Sequence, residues 1–175
     1  IASFKEKTIN EKLKINCWSI QNKIEPRNVF SSSHKKYSFD CDICSHTFES
    51  TVYNIIKSQW CSYCTNKYLC NDDNCDMCYN NSFASYKGKT VNKKLKVDCW
   101  DNEKNGNVKP RDIFKTKNQK YFFKCDNCPH YIYTSPASIA SKGNWCYYCC
   151  IPTQQLCEEP SCDHCFNRSF ASYEG

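Results

Sequence analysis

Apolar positions gather in four short aromatic-rich runs, the first two alternating with polar residues, and each run stands beside a pair of cysteines. Tyr37-Ser38-Phe39 leads into Cys41, and Thr47-Phe48-Glu49 leaves Cys44. Tyr121-Phe122-Phe123 leads into Cys125, and Tyr131-Ile132-Tyr133 leaves Cys128. Short aromatic runs of this kind, bounded by turn residues, read as strands. Each pair is therefore expected to form a hairpin. Short helices are expected next, near 50–57 and 135–141. Pro136 suits an early helical position, where its missing N–H costs nothing. Gly143 is placed to end the second helix. Ile55, Ile56 and Ile139 are expected to pack on Trp60, Trp145 and the strand aromatics. Those aromatics read as small cores rather than as a ligand platform. No apolar run approaches the roughly 18 residues of a membrane span, and no leader pattern is seen, so neither is expected.

The pattern then repeats. Ala2-Ser3-Phe4 recurs as Ala84-Ser85-Tyr86 and as Ala171-Ser172-Tyr173, with shifts of 82 and 87 residues. Leu13-Lys14-Ile15 matches Leu95-Lys96-Val97, and Cys17-Trp18 matches Cys99-Trp100. Pro26-Arg27-Asn28-Val29-Phe30 matches Pro110-Arg111-Asp112-Ile113-Phe114. A period of this kind marks tandem modules. Unit 1 is taken as 1–81, with a core at 18–64 and a linker cluster at 70–78. Unit 2 is taken as 82–168, with a core at 100–149 and a cluster at 157–165. Residues 169–175 open a third copy, as expected of a fragment from a longer array.

Composition adds the chemistry. Seventeen of 175 residues are cysteine, a density that means a disulfide scaffold or a metal protein. Units this small need a staple in place of a large core. Each unit holds two CxxC turns: Cys41/Cys44 with Cys61/Cys64, and Cys125/Cys128 with Cys146/Cys149. The intervals are 16 and 17 residues, a zinc-ribbon spacing. Two facing knuckles supply four sulfurs at about 2.3 Å from one metal. The odd cysteine total and the Cys149-Cys150 neighbours fit disulfide pairing poorly. Zinc is therefore the expected cofactor, and a reducing compartment is expected: cytosol, nucleus or virion interior. Each unit also carries a C-x4-C-x2-C triad, Cys70/Cys75/Cys78 and Cys157/Cys162/Cys165. Structural zinc is almost always four-coordinate, so each triad needs a fourth ligand. Cys99 is the nearest unassigned cysteine after Cys78 and would bridge the two units. Cys17 would then serve an upstream cluster, and the last triad would await a downstream cysteine. Closure within a unit, with Cys17 joining Cys70/Cys75/Cys78, is the alternative. His164, inside the last CxxC, could substitute, but its counterpart Met77 could not. Cys150 has no repeat partner and reads as a free thiol.

The order Trp, Asn, Pro-x-x-[VI], Lys-Lys-Tyr-x-Phe-x-Cys-x-x-Cys-x-His-x-Phe and Trp-Cys-x-Tyr-Cys resembles a known family. It is the repeated probable zinc-ribbon, treble-clef-like domain of bacteria, plants and especially giant DNA viruses. The match runs over 18–64 and 100–149, and the Leu69-Cys70 to Ser85 linker looks like the giant-virus version. The resemblance implies a small metal-stabilised α+β fold of tandem zinc-ribbon or treble-clef-like repeats. Each repeat would hold a short β-hairpin, a short helix and two CxxC knuckles. It also implies zinc binding and association with nucleic acid. In the giant-virus version the Ser-Phe-Ala-Ser stretch is commonly followed by histidine, a fourth ligand. Phe4, Tyr86 and Tyr173 stand there in this chain.

Function follows less directly. The formal charge is +6, but zinc ligation takes thiolates. Four thiolates around a dication leave −2, so two such sites bring +6 to +2 and a third brings it to zero. Local patches must then carry any electrostatic argument. Lysines cluster at Lys87, Lys89, Lys93, Lys94 and Lys96, and again at Lys115, Lys117, Lys120 and Lys124. Arg27 and Arg111 hold one repeat position. Arg27, Arg111, Lys93 and Lys94 are the expected phosphate contacts, with Tyr121 near for stacking. The alternative is a scaffold, such as a virion component that binds other virion proteins. No enzyme is expected. His46 and His130 are the only repeated histidines, with no partner at motif spacing, and read as hydrogen-bonding the knuckle or hairpin. No small-molecule substrate is evident.

Overall fold

The two hairpins form where the alternation places them. In the computed structural model, which describes residues 6–142 and 145–173, strand β1 is Lys36–Asp40 and β2 is Thr47–Thr51. They pair antiparallel with Phe39 opposite Phe48. A cysteine knuckle connects them, since the Cys41 amide donates to the His46 carbonyl at 2.9 Å and extends the ladder. Helix α1, Val52–Ile56, follows at once because the Thr51 hydroxyl accepts from the Asn54 amide at 3.1 Å. That cap moves the helix start past the expected 50. The chain separates into two compact units, Ile1–Cys70 and Asn71–Gly175.

The first unit closes around Phe39, Cys41, Phe48, Ile55 and Cys61, with Trp18, Tyr37, Trp60 and Tyr63 at the rim. The Asn22 side chain pairs with both backbone groups of Ser38, at 2.7 and 2.8 Å, and stands in for a third strand. Buried Lys14 lays its ammonium over the Trp60 ring at 5.6 Å and pairs with Glu6 at 2.6 Å. Its repeat position therefore serves the core and not the surface. Ile56 is only half-buried.

The second unit opens with helix α2, Asp76–Asn81, which the periodicity did not predict. Cys75 stands at its N-cap and Asp76 in its first turn, where an acidic residue meets the helix dipole favourably. The Ser-Phe-Ala-Ser stretch then docks on the Pro110–Phe114 turn, with the Phe83 amide donating to the Ile113 carbonyl at 2.8 Å. The linker ahead of it is tied to the same unit, since the Asn81 carbonyl accepts from the Lys115 amide at 3.2 Å and the Asp72 carbonyl from Arg111 at 2.8 Å, so the division falls after Cys70 rather than after residue 81. Strands β3, Tyr121–Lys124, and β4, Tyr131–Thr134, pair with Phe123 opposite Ile132. Helix α3, Pro136–Lys142, is capped by the Ser135 hydroxyl, which accepts from the Ser138 amide at 3.2 Å. A short helix α4, Asp163–Phe166, repeats the α2 arrangement behind Cys162. Phe83, Phe123 and Ile139 are wholly buried with Trp100, Tyr121 and Ile132. Asn105 repeats the role of Asn22, bonding both backbone groups of Phe122 at 2.8 and 2.9 Å. The expected contributions of Ala2–Phe4 and Gly143, and the last residues of the third copy, lie outside the described residues.

Phe123 touches Phe83, Trp100 and Trp145 edge-on. Phe123→Ala is expected to lower the stability of the zinc-loaded chain by about 3–5 kcal/mol, measured by denaturant titration. A loss below about 1 kcal/mol would mean that the metal alone holds the unit.

Candidate metal centres

The hairpin brings one knuckle to its tip, and the segment after the helix brings the second knuckle against it. In the first unit Cys41 Sγ lies 3.6 Å from Cys64 Sγ, and Cys44 Sγ lies 3.5 Å from Cys61 Sγ. In the second unit Cys125 lies 3.6 Å from Cys149, and Cys128 lies 3.4 Å from Cys146. A disulfide would need about 2.05 Å. A tetrahedron with bonds of about 2.3 Å needs sulfurs about 3.8 Å apart. The sulfurs sit close to that edge length, and each set of four lies within 4.8 Å. The donor set therefore fits zinc. None of the 17 cysteines is in a disulfide.

Equivalent hydrogen bonds outside the ligands brace the first knuckle of each copy. The Thr8 hydroxyl donates to the Asp42 carboxylate, and Asn10 donates to the Asp42 carbonyl at 3.1 Å. Thr90 and Asn92 do the same for Asp126. These ties fix the turn from which two sulfurs project.

The triad Cys157/Cys162/Cys165 has a fourth ligand within its own unit, and it is His130. Its Nε2 lies 3.4 Å from Cys162 Sγ and 3.4 Å from Cys165 Sγ. The four donor atoms lie within 4.8 Å of one another. Burial, with His164 beside it, pulls the His130 pKa down, so the ring is neutral and able to ligate. The ring is held flat on Tyr148, centroids 4.0 Å apart at 14°. The residue expected to bond the knuckle or hairpin is thus a metal ligand as well. Its signal in the sequence was the repeat itself, since His46 and His130 each stand two residues past a knuckle in both copies.

Cys99 is not the missing ligand. It is 2% exposed inside the second core, at the end of a 3-10 turn, Lys96–Cys99. Its thiol points back to the Leu95 carbonyl at 3.8 Å. Burial pushes its pKa up to about 11. Cys17 repeats this placement, 1% exposed and 4.0 Å from the Leu13 carbonyl. Neither belongs to a ligand group among the described residues. The wait for a downstream cysteine is replaced by closure through His130, and neither a bridge through Cys99 nor a ligand role for Cys17 is found among the described residues. His164 Nε2 turns instead to the Tyr148 carbonyl at 3.3 Å. Tyr86, at the place of the expected histidine, stacks on Phe83 and donates to the Ile139 carbonyl at 3.0 Å. Cys150 Sγ lies 3.3 Å from the carbonyls of Tyr147 and Pro152, outside every ligand group.

The expected phosphate contacts divide. Arg27, Lys93 and Lys94 are exposed. Arg111 is half-buried and donates to the Asp72 carbonyl at 2.8 Å, which ties it to the linker. Lys96 is buried with its ammonium 5.4 Å from the Trp145 ring, and Tyr121 faces the core.

Hairpin, knuckle, helix and knuckle around four cysteines define a treble clef zinc finger, present here twice. The chain belongs to the family described as the probable treble clef zinc finger domain, which matches residues 15–67 and 97–152. It is also 33% identical over 133 residues to an uncharacterized protein of Acanthamoeba polyphaga mimivirus. That alignment covers 73% of this chain and 30% of the relative, so the chain spans under a third of that protein's length. The triads at 70–78 and 157–165 lie outside the matched segments. No helix among the described residues is long and apolar enough to cross a membrane.

Two measurements check the assignment. Cys99→Ala is expected to leave the zinc content of the chain unchanged, whereas Cys157→Ala loses one zinc, by atomic absorption on the purified protein. Loss of zinc in Cys99→Ala would restore the cysteine bridge. The second is pH dependence. In the second unit the bond from Cys146 holds Cys125 down at about 5, while burial pushes Cys128 up to about 12 and Cys146 is also raised. Cys128 and Cys146 thus carry protons near neutral pH that metal must displace. Zinc affinity is expected to rise with pH and to fall about a hundredfold for each unit lost between 8 and 6, one factor of ten per proton. Chelator competition reads this, and a flat profile would contradict it.

Proposed function

We propose that the chain is a non-catalytic, zinc-stapled module that binds single-stranded nucleic acid through the outer face of the second hairpin. The carrying observation is how that face differs between the copies. In the first hairpin the outward residues are Lys36, Ser38, Asp40, Thr47, Glu49 and Thr51, and four of them, Ser38, Asp40, Thr47 and Glu49, align with the outward face of the second. In the second they are Phe122, Lys124, Tyr131 and Tyr133. The second face thus gains three aromatic rings and a cation where the first carries two carboxylates and two hydroxyls. Tyr133 is 56% exposed and Tyr131 39%. Phe122 and Tyr133 stack at 4.6 Å. Lys104 stands 4.0 Å above Tyr131 and 5.4 Å from Phe122, and Lys120 lies 5.8 Å from Tyr133.

Exposed aromatic faces among cations suit unpaired bases and the backbone that joins them. A duplex hides its base faces, so single strands are the better substrate for such a surface. No base-reading helix is found among the described residues, so little sequence preference is expected. Complete four-ligand sets leave no open position on a metal, which favours binding over metal-centred catalysis. Thiolate ligation requires a reducing compartment, and a viral relative is consistent with host cytoplasm, nucleus or virion interior.

The zinc-loaded chain is to be titrated against labelled single-stranded and duplex oligonucleotides across a salt series. Affinity for the single strand is expected to fall linearly with log salt. Tyr131→Ala with Tyr133→Ala should weaken it about thirtyfold or more, at about 1–3 kcal/mol for each of two stacked bases. Lys104→Gln should reduce the salt slope by about one, and Lys93→Gln with Lys94→Gln should act as a milder, sequence-independent loss. Absent binding at low salt, or tyrosine variants that bind normally, would sink this reading. The scaffold role, with virion proteins as partners, would then stand in its place.

A further inference from the structure

We propose that the His130 imidazole wires the two metal centres of the second unit together, so that the outer centre holds zinc tightly only when the inner one is loaded. The inner centre is Cys125/Cys128/Cys146/Cys149, and the outer is His130/Cys157/Cys162/Cys165. The proposal rests on the zinc reading of both centres and is independent of nucleic-acid binding.

The ring touches both centres. Nε2 lies 3.4 Å from two outer sulfurs, Cys162 and Cys165. Nδ1 lies 3.3 Å from Cys128 Sγ, an inner ligand. A neutral imidazole carries one N–H and one lone pair. To ligate an outer metal, Nε2 must present the lone pair. The proton then resides on Nδ1, aimed at Cys128. A metal-bound Cys128 is a thiolate and accepts that hydrogen bond strongly. An unmetallated Cys128 thiol is a donor as well as a weak acceptor, and it loses that preference for one tautomer. Loading the inner centre therefore selects the tautomer that the outer centre needs. Bonds of this kind to the second nitrogen of a ligating histidine set metal affinity by about 10–100-fold.

The inner centre also sets the ring's position. Tyr148, on which His130 stacks, lies between the inner ligands Cys146 and Cys149. His164, inside the outer CxxC, meets His130 edge-on at 5.5 Å and reaches the Tyr148 carbonyl. The first copy has the same register. His46 stacks on Tyr63 at 4.2 Å and 16°, and Tyr63 again lies between two ligands, Cys61 and Cys64. The sequence carries His46 ahead of the Cys70, Cys75 and Cys78 triad.

The test uses the whole 175-residue chain with zinc and cadmium as probes. Cys157→Ala empties the outer centre and leaves the inner ligands in place. Because coupling between two binding sites is reciprocal, inner zinc affinity is expected to drop about 10–100-fold by chelator competition. An unchanged inner affinity would overturn the proposal. Cys125→Ala should weaken outer binding by a similar factor. A local loss of fold could mimic that result, so a measurement on the intact chain stands beside it. With cadmium-113 and nitrogen-15 histidine, His130 Nε2 is expected to couple to the metal and Nδ1 to carry the proton. A proton on Nε2, or a metal coupling to Nδ1, would refute the wiring.

Discussion

Everything else in this chain depends on bringing four sulfurs within a tetrahedron's edge of one another. Each finger buries only a handful of large side chains, too few to outweigh the entropy of ordering its loops. Ligation makes up the difference, because apparent zinc affinities of about 10–16 kcal/mol enter folding directly. The ligands are also core residues. Cys41 and Cys61 are buried among Phe39, Phe48 and Ile55 in one unit, and Cys125 and Cys146 among Phe123 and Ile139 in the other. Metal and core are therefore one cooperative object. The Asn22 and Asn105 side chains act at the edge of that object. By pairing both backbone groups of the central strand residue, they occupy an edge that would otherwise stay open to another strand.

Hairpins and knuckles were legible in the sequence because their signals are local. An aromatic alternation beside a CxxC turn leaves few other readings, and two copies agree. The fourth ligand of the outer centre was not legible in that way. Loop length alone favours Cys99, 21 positions after Cys78, over Cys17, 53 positions before Cys70. Loop closure scales with the logarithm of length, so that difference is worth only about 0.8 kcal/mol. Direction decides instead. The 3-10 turn at Lys96–Cys99 faces its thiol inward, while the knuckle projects His130 outward over Tyr148. Helices α2 and α4 were missed for a similar reason. They are helices of six and four residues begun by cysteine and an acidic residue, too short for any period to appear.

The basic residues show the same limit. A count of lysines treats Lys96 and Lys94 alike, though one is buried against Trp145 and the other is exposed. In both copies the buried lysine lays its stem along the finger and its ammonium over the tryptophan ahead of the second knuckle. That contact belongs to the fold. A cation held over a ring and out of water contributes to stability and has little left for a phosphate.

Charge therefore has to be read face by face. Ligation adds negative charge at every centre, and the whole-molecule excess of lysine is largely offset. What stays unbalanced is local: Lys104, Lys120 and Lys124 around Phe122, Tyr131 and Tyr133, on the side of the hairpin turned away from the core. The matching side of the first hairpin has Thr47 donating to Asp40 at 2.7 Å and Glu49 beside them. Both hairpins satisfy the same zinc geometry, because their inward residues are the same in kind. Their outward residues are free of that constraint, so the two copies can share one fold and differ in what they bind.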